Sequence, residues 1–411
     1  MNATARRSRR VPRRPRVLIV APWAPYPYDG GSKRILTLAR LLSDRFRFRL
    51  LTVEPASRSP GEVAADLALE RRHLAPIFES VERVAVGAPR PDEGLPEDVA
   101  RWNLPQLAWA ARRLARRAEI VHAEYELAAP AVMSIRGRAR VVTLHDMGEF
   151  RREDLTGARQ ARRERALRRA TFLRRVCAEF DRAIVMTEPD RRRLARLAEG
   201  ARAVAIPTGV DLEEFPLRAA EPTGEPTVAF VGHYPHYPNE DAVAWFLREA
   251  WPIVRAARPD ARFLAIGSSP TPAVLAAVAA APAARATGTV ESVAEHLARA
   301  SVFVAPVRLG AGIKGKLLEA FSLGVPAAAT PTAARGLGAR DGRELSVSAS
   351  APGLAAAVLE LLSSEPLRRR RALAARRFVE RRFDWRACAG RLGDEYERVL
   401  EERSRGARRR H

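Results

Sequence analysis

Lysine is almost missing from this 411-residue chain: of 71 basic residues, 68 are arginines and three are lysines, Lys33, Lys314 and Lys316. The preference for arginine is chain-wide, so the formal net charge of +23 is less pointed than it looks. Arginine runs such as 162–175 and 368–382 fall in helix-like stretches, as solvated helix faces do. They hold only Phe172 and Phe378 as aromatics. A single-stranded nucleic-acid surface interleaves aromatics with basic groups, so the pattern argues against nucleic acid as the partner.

Cysteine is scarce as well. Cys177 and Cys388 have no metal-ligand spacing and imply no disulfide framework. They fit a reducing compartment, and we expect a cytoplasmic protein. Long apolar runs are missing too. The longest candidate, Ala273–Ala284, is short and broken by Pro282, which argues against a spanning helix. Met1–Arg16 is basic but lacks the apolar stretch of a secretory signal. Residues 1–15 and 403–411 read as disordered basic tails able to touch anionic lipid, a peripheral contact at the inner face of the plasma membrane.

What is present is a repeated alternation. Short aliphatic runs at Val17–Ala21, Phe48–Val53, Val84–Val86, Ile120–His122, Val141–Leu144, Ala183–Met186 and Ala203–Ile206 alternate with helical patterns such as Ser32–Ser43. Such alternation builds βαβ units and a parallel sheet. Pro207–Pro226, with four prolines and several acids, breaks the pattern and reads as a linker. It restarts with strand-like Val228–Val231, Phe263–Ile266, Ala286–Val290, Val302–Ala305 and Pro326–Ala329, separated by helical Asp241–Ala256, Val293–Ala300 and Lys316–Leu323. The expected fold is α/β, with two Rossmann-like domains whose parallel sheets face across a cleft. We assign residues 16–207 to an N-terminal acceptor domain, 208–226 to a hinge and 227–382 to a C-terminal donor domain. Residues 383–402 would form a helix packing back on the first domain.

Ligands of open α/β sheets bind beyond the carboxyl ends of the strands, so the chemistry is sought there. Gly30-Gly31 follows the first strand and precedes a helix. Small residues there let backbone N–H groups approach an anion, although an ordinary βα turn has the same look. His145-Asp146 leaves the fifth strand, where His145 can bond a donor sugar or serve structure alone. The richest segment is Arg308–Glu319. A glycine-rich loop with Arg308, Lys314 and Lys316 enters a helix N-terminus, which suits a pyrophosphate. Glu319, one turn in, can accept bonds from two ribose hydroxyls, or it can be an acid placed by the helix dipole. All three lysines lie beside one of the two glycine-rich loops, where a compact point charge is wanted.

Taken in order, several motifs resemble the family 4 glycosyltransferases of the two-domain GT-B type, especially the subgroup associated with exopolysaccharide synthesis. They are Pro25–Ser32, Thr143–Asp146, Ile206–Asp211 with Phe215, Phe230–Gly232 with Pro238–Ala242, Gly310–Glu319, Gly324–Pro326 and Phe383–Trp385. The resemblance spans Arg16 to Glu401. It implies retaining transfer of a sugar from a nucleotide diphosphate sugar to an acceptor hydroxyl. The nucleotide sugar would be a co-substrate, with no metal and no other cofactor, and the acceptor a saccharide or a lipid-linked one. It further implies that Gly30 and Gly31 approach the donor phosphate, that Gly232 belongs to the donor site, and that His145 contacts the sugar as the catalytic residue. Gly312, Ile313 and Lys314 would face sugar and diphosphate, and Glu319 would bind ribose.

Two positions depart from that pattern. Ala311 stands where many members have a glutamate, eight residues before Glu319. The stretch His233–Asn239 after Gly232 lacks the arginine and lysine that usually grip the diphosphate. Lys314 and Lys316, with Arg308, are expected to take over that charge. A nucleotide-sugar epimerase of the same fold and a basic nucleic-acid-binding protein are the alternatives.

Overall fold

The computed structural model describes residues 13–27, 30–54, 59–145, 159–310 and 312–408. Asp146 and Ala311 therefore lie outside the described residues, as do residues 1–12 and 409–411 of the expected tails.

Strands β1 (Arg16–Ala21), β2 (Arg47–Glu54), β3 (Phe78–Ala85), β4 (Ile120–Glu124), β5 (Ala139–Leu144), β6 (Arg182–Val185) and β7 (Ala203–Ala205) form one sheet, ordered β3-β2-β1-β4-β5-β6-β7. Strands β8 (Thr227–Val231), β9 (Arg262–Ile266), β10 (Ala284–Ala286), β11 (Val302–Ala305), β12 (Ala327–Ala329) and β13 (Ser346–Val347) form a second, ordered β10-β9-β8-β11-β12-β13. The pairings are parallel, for example Val17 with Phe48 and Ile120, and Val228 with Phe263 and Val302. Each sheet thus repeats the doubly-wound order in which the chain reverses direction between its first and fourth strands. That reversal opens a crevice beyond β1 and β4 in one sheet and beyond β8 and β11 in the other.

Strands covered by helices on both faces are buried throughout: every residue of β4, β6 and β11 is buried, including His122 and Glu124 of β4 and Arg182 of β6. Edge strands are mixed. In β3, Glu79, Glu82 and Arg83 alternate with apolar residues, and only Val84–Val86 stands out as an aliphatic run in the sequence.

Contacts group the chain into two compact units. One holds residues 1–143, 179–182 and 393–411; the other holds 144–178 and 183–392. In the first, the last helix, Trp385–Arg408, brings Tyr396 against Phe46 at 5.2 Å between rings and against His122. The His122 ring is fully buried, bonded through Nδ1 to the Tyr396 hydroxyl at 2.6 Å and through Nε2 to Thr143 Oγ1 at 2.7 Å. Burial and the nearby Glu124 hold the Tyr396 hydroxyl well above its ordinary pKa.

The tail expected from residue 403 is helical through Arg408. Glu402 pairs with Arg182 at 2.9 Å and Arg403 with Asp181 at 3.0 Å, which ties the final turns down. In the second unit, the stretch Pro207–Pro226 is irregular but fastened. Val210 N–H donates to Phe383 C=O at 2.8 Å, Phe215 is buried, and a Cβ on Gly209 would lie 2.7 Å from the Trp385 ring.

Candidate functional site

The crevice of the second sheet is lined by the turn after β8 and the loop after β11. Two of the motifs read from the sequence, Phe230–Gly232 with Pro238–Ala242 and Gly310–Glu319, meet there. Phe230 and Phe303 stack across the two strands at 6.4 Å. Behind them the backbone closes tightly. Gly267, after β9, has φ +135°, and a Cβ on it would fall 1.9 Å from Gly232 C=O. Gly232 N–H itself donates to Ile266 C=O at 2.9 Å. A Cβ on Gly232 would meet Asn239 at 3.1 Å. Glycine at 232 and 267 therefore lets two strand ends lie against one another.

Across the crevice, Gly310 and Gly312 adopt φ of +93° and +72°, conformations that L side chains resist. They turn the chain into helix Gly315–Leu323, whose N-cap is Lys314. Gly324, with φ +70°, closes that helix in left-handed conformation. In the first turn of helix Gly315–Leu323, Leu317 N–H donates back to Lys314 C=O at 2.9 Å, and the helix dipole favours an anion at this end.

Lys316 is half-buried, with its ammonium 4.5 Å over the Phe230 ring and bonded to Asn239 Oδ1 at 2.5 Å. Asn239 is buried, and its amide also donates to His233 C=O at 2.8 Å. One side chain thus fastens the turn after β8 to the helix after β11. Burial pulls the Lys316 ammonium down to about 7; Glu319 works against that pull and Lys314 adds to it. Lys314 Nζ donates to Gly312 C=O at 3.2 Å.

Arg308 is differently placed. Its guanidinium is bidentate on Asp241, with Nε–Oδ2 at 3.1 Å, and lies 5.0 Å over the Trp245 ring. It already has its counter-charge, unlike the role in diphosphate neutralisation expected from sequence. Ile313 is partly buried against the core of the second unit. Glu319 is half-buried on the same helix as Lys316.

Sequence reasoning quoted Asn239 within a motif but missed its bond to Lys316, and it gave His233 and His236 no role. They occupy the stretch that lacks arginine and lysine, and only the adjacency of β8 to β11 brings them beside Lys314 and Lys316.

In the first unit, Gly30 and Gly31 open helix Gly30–Leu41. Gly30 is exposed, and no described atom lies within 4 Å of where its Cβ would be, so the fold itself does not require glycine there. Trp23, after β1, packs on Tyr125, after β4, at 4.8 Å between rings, and on Trp102 at 5.8 Å. Tyr125 has φ +66°, an unusual conformation for a bulky residue. His145, grouped with the second unit, is half-buried directly after β5.

A doubly-wound pair of sheets with a glycine-rich, lysine-bearing crevice is the arrangement of the nucleotide-sugar-dependent GT-B glycosyltransferases, and this chain is an enzyme of that class. Residues 28–214 match the model described as Glycosyltransferase Family 4, and residues 225–364 match Glycosyl transferases group 1. The chain belongs to family 4 of the GT-B glycosyltransferases. Solved structures of the same fold include sucrose-phosphate synthase from Thermosynechococcus elongatus, with a TM-score of 0.70 and 17% identity over 94% of this chain and 100% of that one. HepE from Anabaena, in complex with UDP and glucose, gives 0.65 and 14% over 93% and 99%. A variant of S. aureus TarM, in complex with fondaparinux, alpha-GlcNAc-glycerol and UDP, gives 0.69 and 9% over 94% and 99%. No curated protein matches the chain.

Proposed function

We propose that the chain transfers a sugar, with retention of anomeric configuration, from a nucleotide diphosphate sugar to a hydroxyl of a saccharide or lipid-linked acceptor. The product would be an exopolysaccharide or another cell-surface glycan, made in the cytoplasm at the inner face of the plasma membrane. The observation that carries this reading is the pair Lys314 and Lys316 at the switch-point crevice, beside the Gly232 turn and at a helix N-terminus. Family membership supports it, as do relatives of the same fold that hold UDP with glucose or with a GlcNAc glycoside.

Departure of the nucleoside diphosphate develops negative charge on its oxygens. Ammonium groups and amides fixed where that charge appears lower the barrier, since they need no reorganisation. Lys314 and Lys316 take that role, with the first amides of helix Gly315–Leu323. The nucleotide sugar is a co-substrate in this scheme, and basic side chains do the neutralising. Glu319 binds the ribose hydroxyls, Gly312 and Ile313 border sugar and diphosphate, and His145 contacts the transferred sugar. Gly30 and Gly31 approach the donor phosphate.

A panel of nucleotide sugars tests the reading by thermal stabilisation, because a ligand that binds only the folded state raises its melting temperature. One donor should stabilise, and its sugar should pass to an added acceptor. An epimerised sugar from donor alone would replace transferase by epimerase. The Glu319→Ala variant should lose affinity for the ribonucleotide far more than for its 2′,3′-dideoxy analogue; equal losses would leave Glu319 a purely structural acid.

A further inference from the structure

The crevices described so far lie beyond the carboxyl ends of the strands. The opposite, amino edge of the first sheet carries a pocket that the donor reading leaves unused. Its origin shows in β2. Phe48 and Leu50 are buried, while Arg47 and Arg49 are half-buried. From Leu50 to Val53 every residue is buried. Successive side chains of a strand point to opposite faces. The strand is therefore covered on both faces towards its carboxyl end and on one face only where it begins.

A bulge reshapes the uncovered corner. Phe48 pairs with Phe78 and Leu50 with Val81, so Glu79 and Ser80 of β3 together stand opposite Arg49 of β2. Bulges are rare between parallel strands, and they re-aim side chains. Here Arg49 Nε donates to Ser80 Oγ at 2.8 Å, and Glu79 is held by Arg47. Arg16, the first residue of β1, is in register with Arg47, and its guanidinium comes within 3.9 Å of Glu79. Its backbone N–H donates to Glu119 Oε2 at 2.7 Å, just before β4. Arg117 follows helix Pro105–Ala115 and completes the corner. Arg16, Arg49, Glu79 and Arg117 line an open pocket of 430 Å³.

Three guanidinium groups meet one carboxylate in this lining, and Arg47 already engages that carboxylate. The Arg117 side chain is exposed and has no hydrogen-bond or ion-pair partner among the described residues. Like charges gathered around one pocket repel, and an anion among them turns that repulsion into attraction. Planar guanidinium forks match the oxygens of a phosphate two at a time.

We propose that this pocket binds a phosphate group through Arg16, Arg49 and Arg117. All of its residues belong to the first unit, and none is assigned to the donor, so the pocket stands whether or not the donor reading does. The phosphate belongs either to a soluble molecule or to a lipid headgroup, and the same guanidinium groups serve both.

The probe is inorganic pyrophosphate, titrated calorimetrically into the full chain carrying Lys314→Ala and Lys316→Ala, so that the donor crevice does not compete. One saturable site should remain. Adding Arg117→Ala should weaken it about fivefold or more and leave the melting temperature of the empty protein unchanged. Arg49→Gln should weaken it likewise. Glu79→Gln should tighten it, because it removes the carboxylate from the lining. Arg370→Ala, an exposed arginine on helix Glu365–Arg382, should change nothing. Flotation with phosphatidylcholine vesicles containing phosphatidic acid identifies the source. Capture that Arg117→Ala abolishes assigns the phosphate to a headgroup, and pyrophosphate binding without capture assigns it to a soluble molecule. Absence of both pyrophosphate binding and capture would overturn the proposal. So would Arg117→Ala and Arg49→Gln variants that bind pyrophosphate as tightly as their parent.

Discussion

Among the basic side chains of the candidate site, charge alone is a poor guide to role. Arg308 and Lys316 stand on either side of the same loop, yet Asp241 neutralises the first while the second rests on an amide and an aromatic ring. Replacing Lys316 by alanine should weaken nucleotide-sugar binding about 10- to 100-fold, the worth of one charge-assisted hydrogen bond. Arg308→Ala should cost about fivefold at most, as expected for a cation already paired at the surface. Calorimetric dissociation constants for the two variants decide it, and equal losses would show that both cations serve the ligand. The pH dependence has a definite sign. Because the free Lys316 ammonium is held down near 7 and an anion raises it, affinity should be greatest below that value and fall as pH rises through it. A dissociation constant flat from pH 6 to pH 9 would contradict this placement of Lys316.

Much of the element pattern is legible in the sequence because buried central strands write themselves as aliphatic runs. Val302–Ala305 is read to the residue, and Val228–Val231 to within one. Edge strands are not, for a physical reason. One side of an edge strand meets no strand, so charged residues are tolerated there, and β3 shows in the sequence only as its last aliphatic residues. Strand β13 is two residues long and leaves no period to detect. The site divides likewise. Gly310–Glu319 is continuous and visible, whereas the Asn239 bond to Lys316 depends on a crossover that puts β8 next to β11, which local sequence does not encode. The Asp241–Arg308 pair, 67 positions apart, is hidden for the same reason. Two substitutions test the elements. Gly267→Ala would force a Cβ into Gly232 C=O at a φ that side chains resist, so it should destabilise by about 2 kcal/mol or more and weaken donor binding with it. Tyr396→Phe removes a buried hydroxyl from His122 and should cost about 1–3 kcal/mol, as read by denaturant unfolding, leaving donor affinity unchanged.

For the whole molecule, 71 basic against 48 acidic residues make the proposed contact with an anionic surface a testable one. No helix among the described residues is long and apolar enough to cross a membrane; the peripheral contact proposed above calls for a surface patch. Helix Pro105–Ala115 offers the strongest candidate. It carries no acidic residue, and Trp109 on it is 63% exposed. The Arg113 guanidinium lies 5.2 Å over that ring, and Arg113 also pairs with Glu82. Arg112, Arg116 and Arg117 are exposed nearby. Beside the ring is an open apolar groove of 620 Å³, lined by Val84, Ala85, Val86, Pro105, Gln106 and Trp109. An amphipathic ring at the headgroup level with basic neighbours is a known way to hold an interface, and each arginine near an anionic surface adds about 1 kcal/mol. The chain should therefore co-sediment with vesicles containing phosphatidylglycerol and not with pure phosphatidylcholine. Binding should fall steeply towards about 1 M salt, where the screening length shrinks to about 3 Å. Trp109→Ala should weaken it about tenfold, since a buried aromatic side chain contributes on the order of 1.5–3 kcal/mol. Donor affinity in solution should not change, because the groove beside Trp109 contains none of the residues assigned to the donor. Sedimentation that ignores lipid charge, or that survives loss of Trp109 intact, would place the membrane contact elsewhere on the protein or remove it.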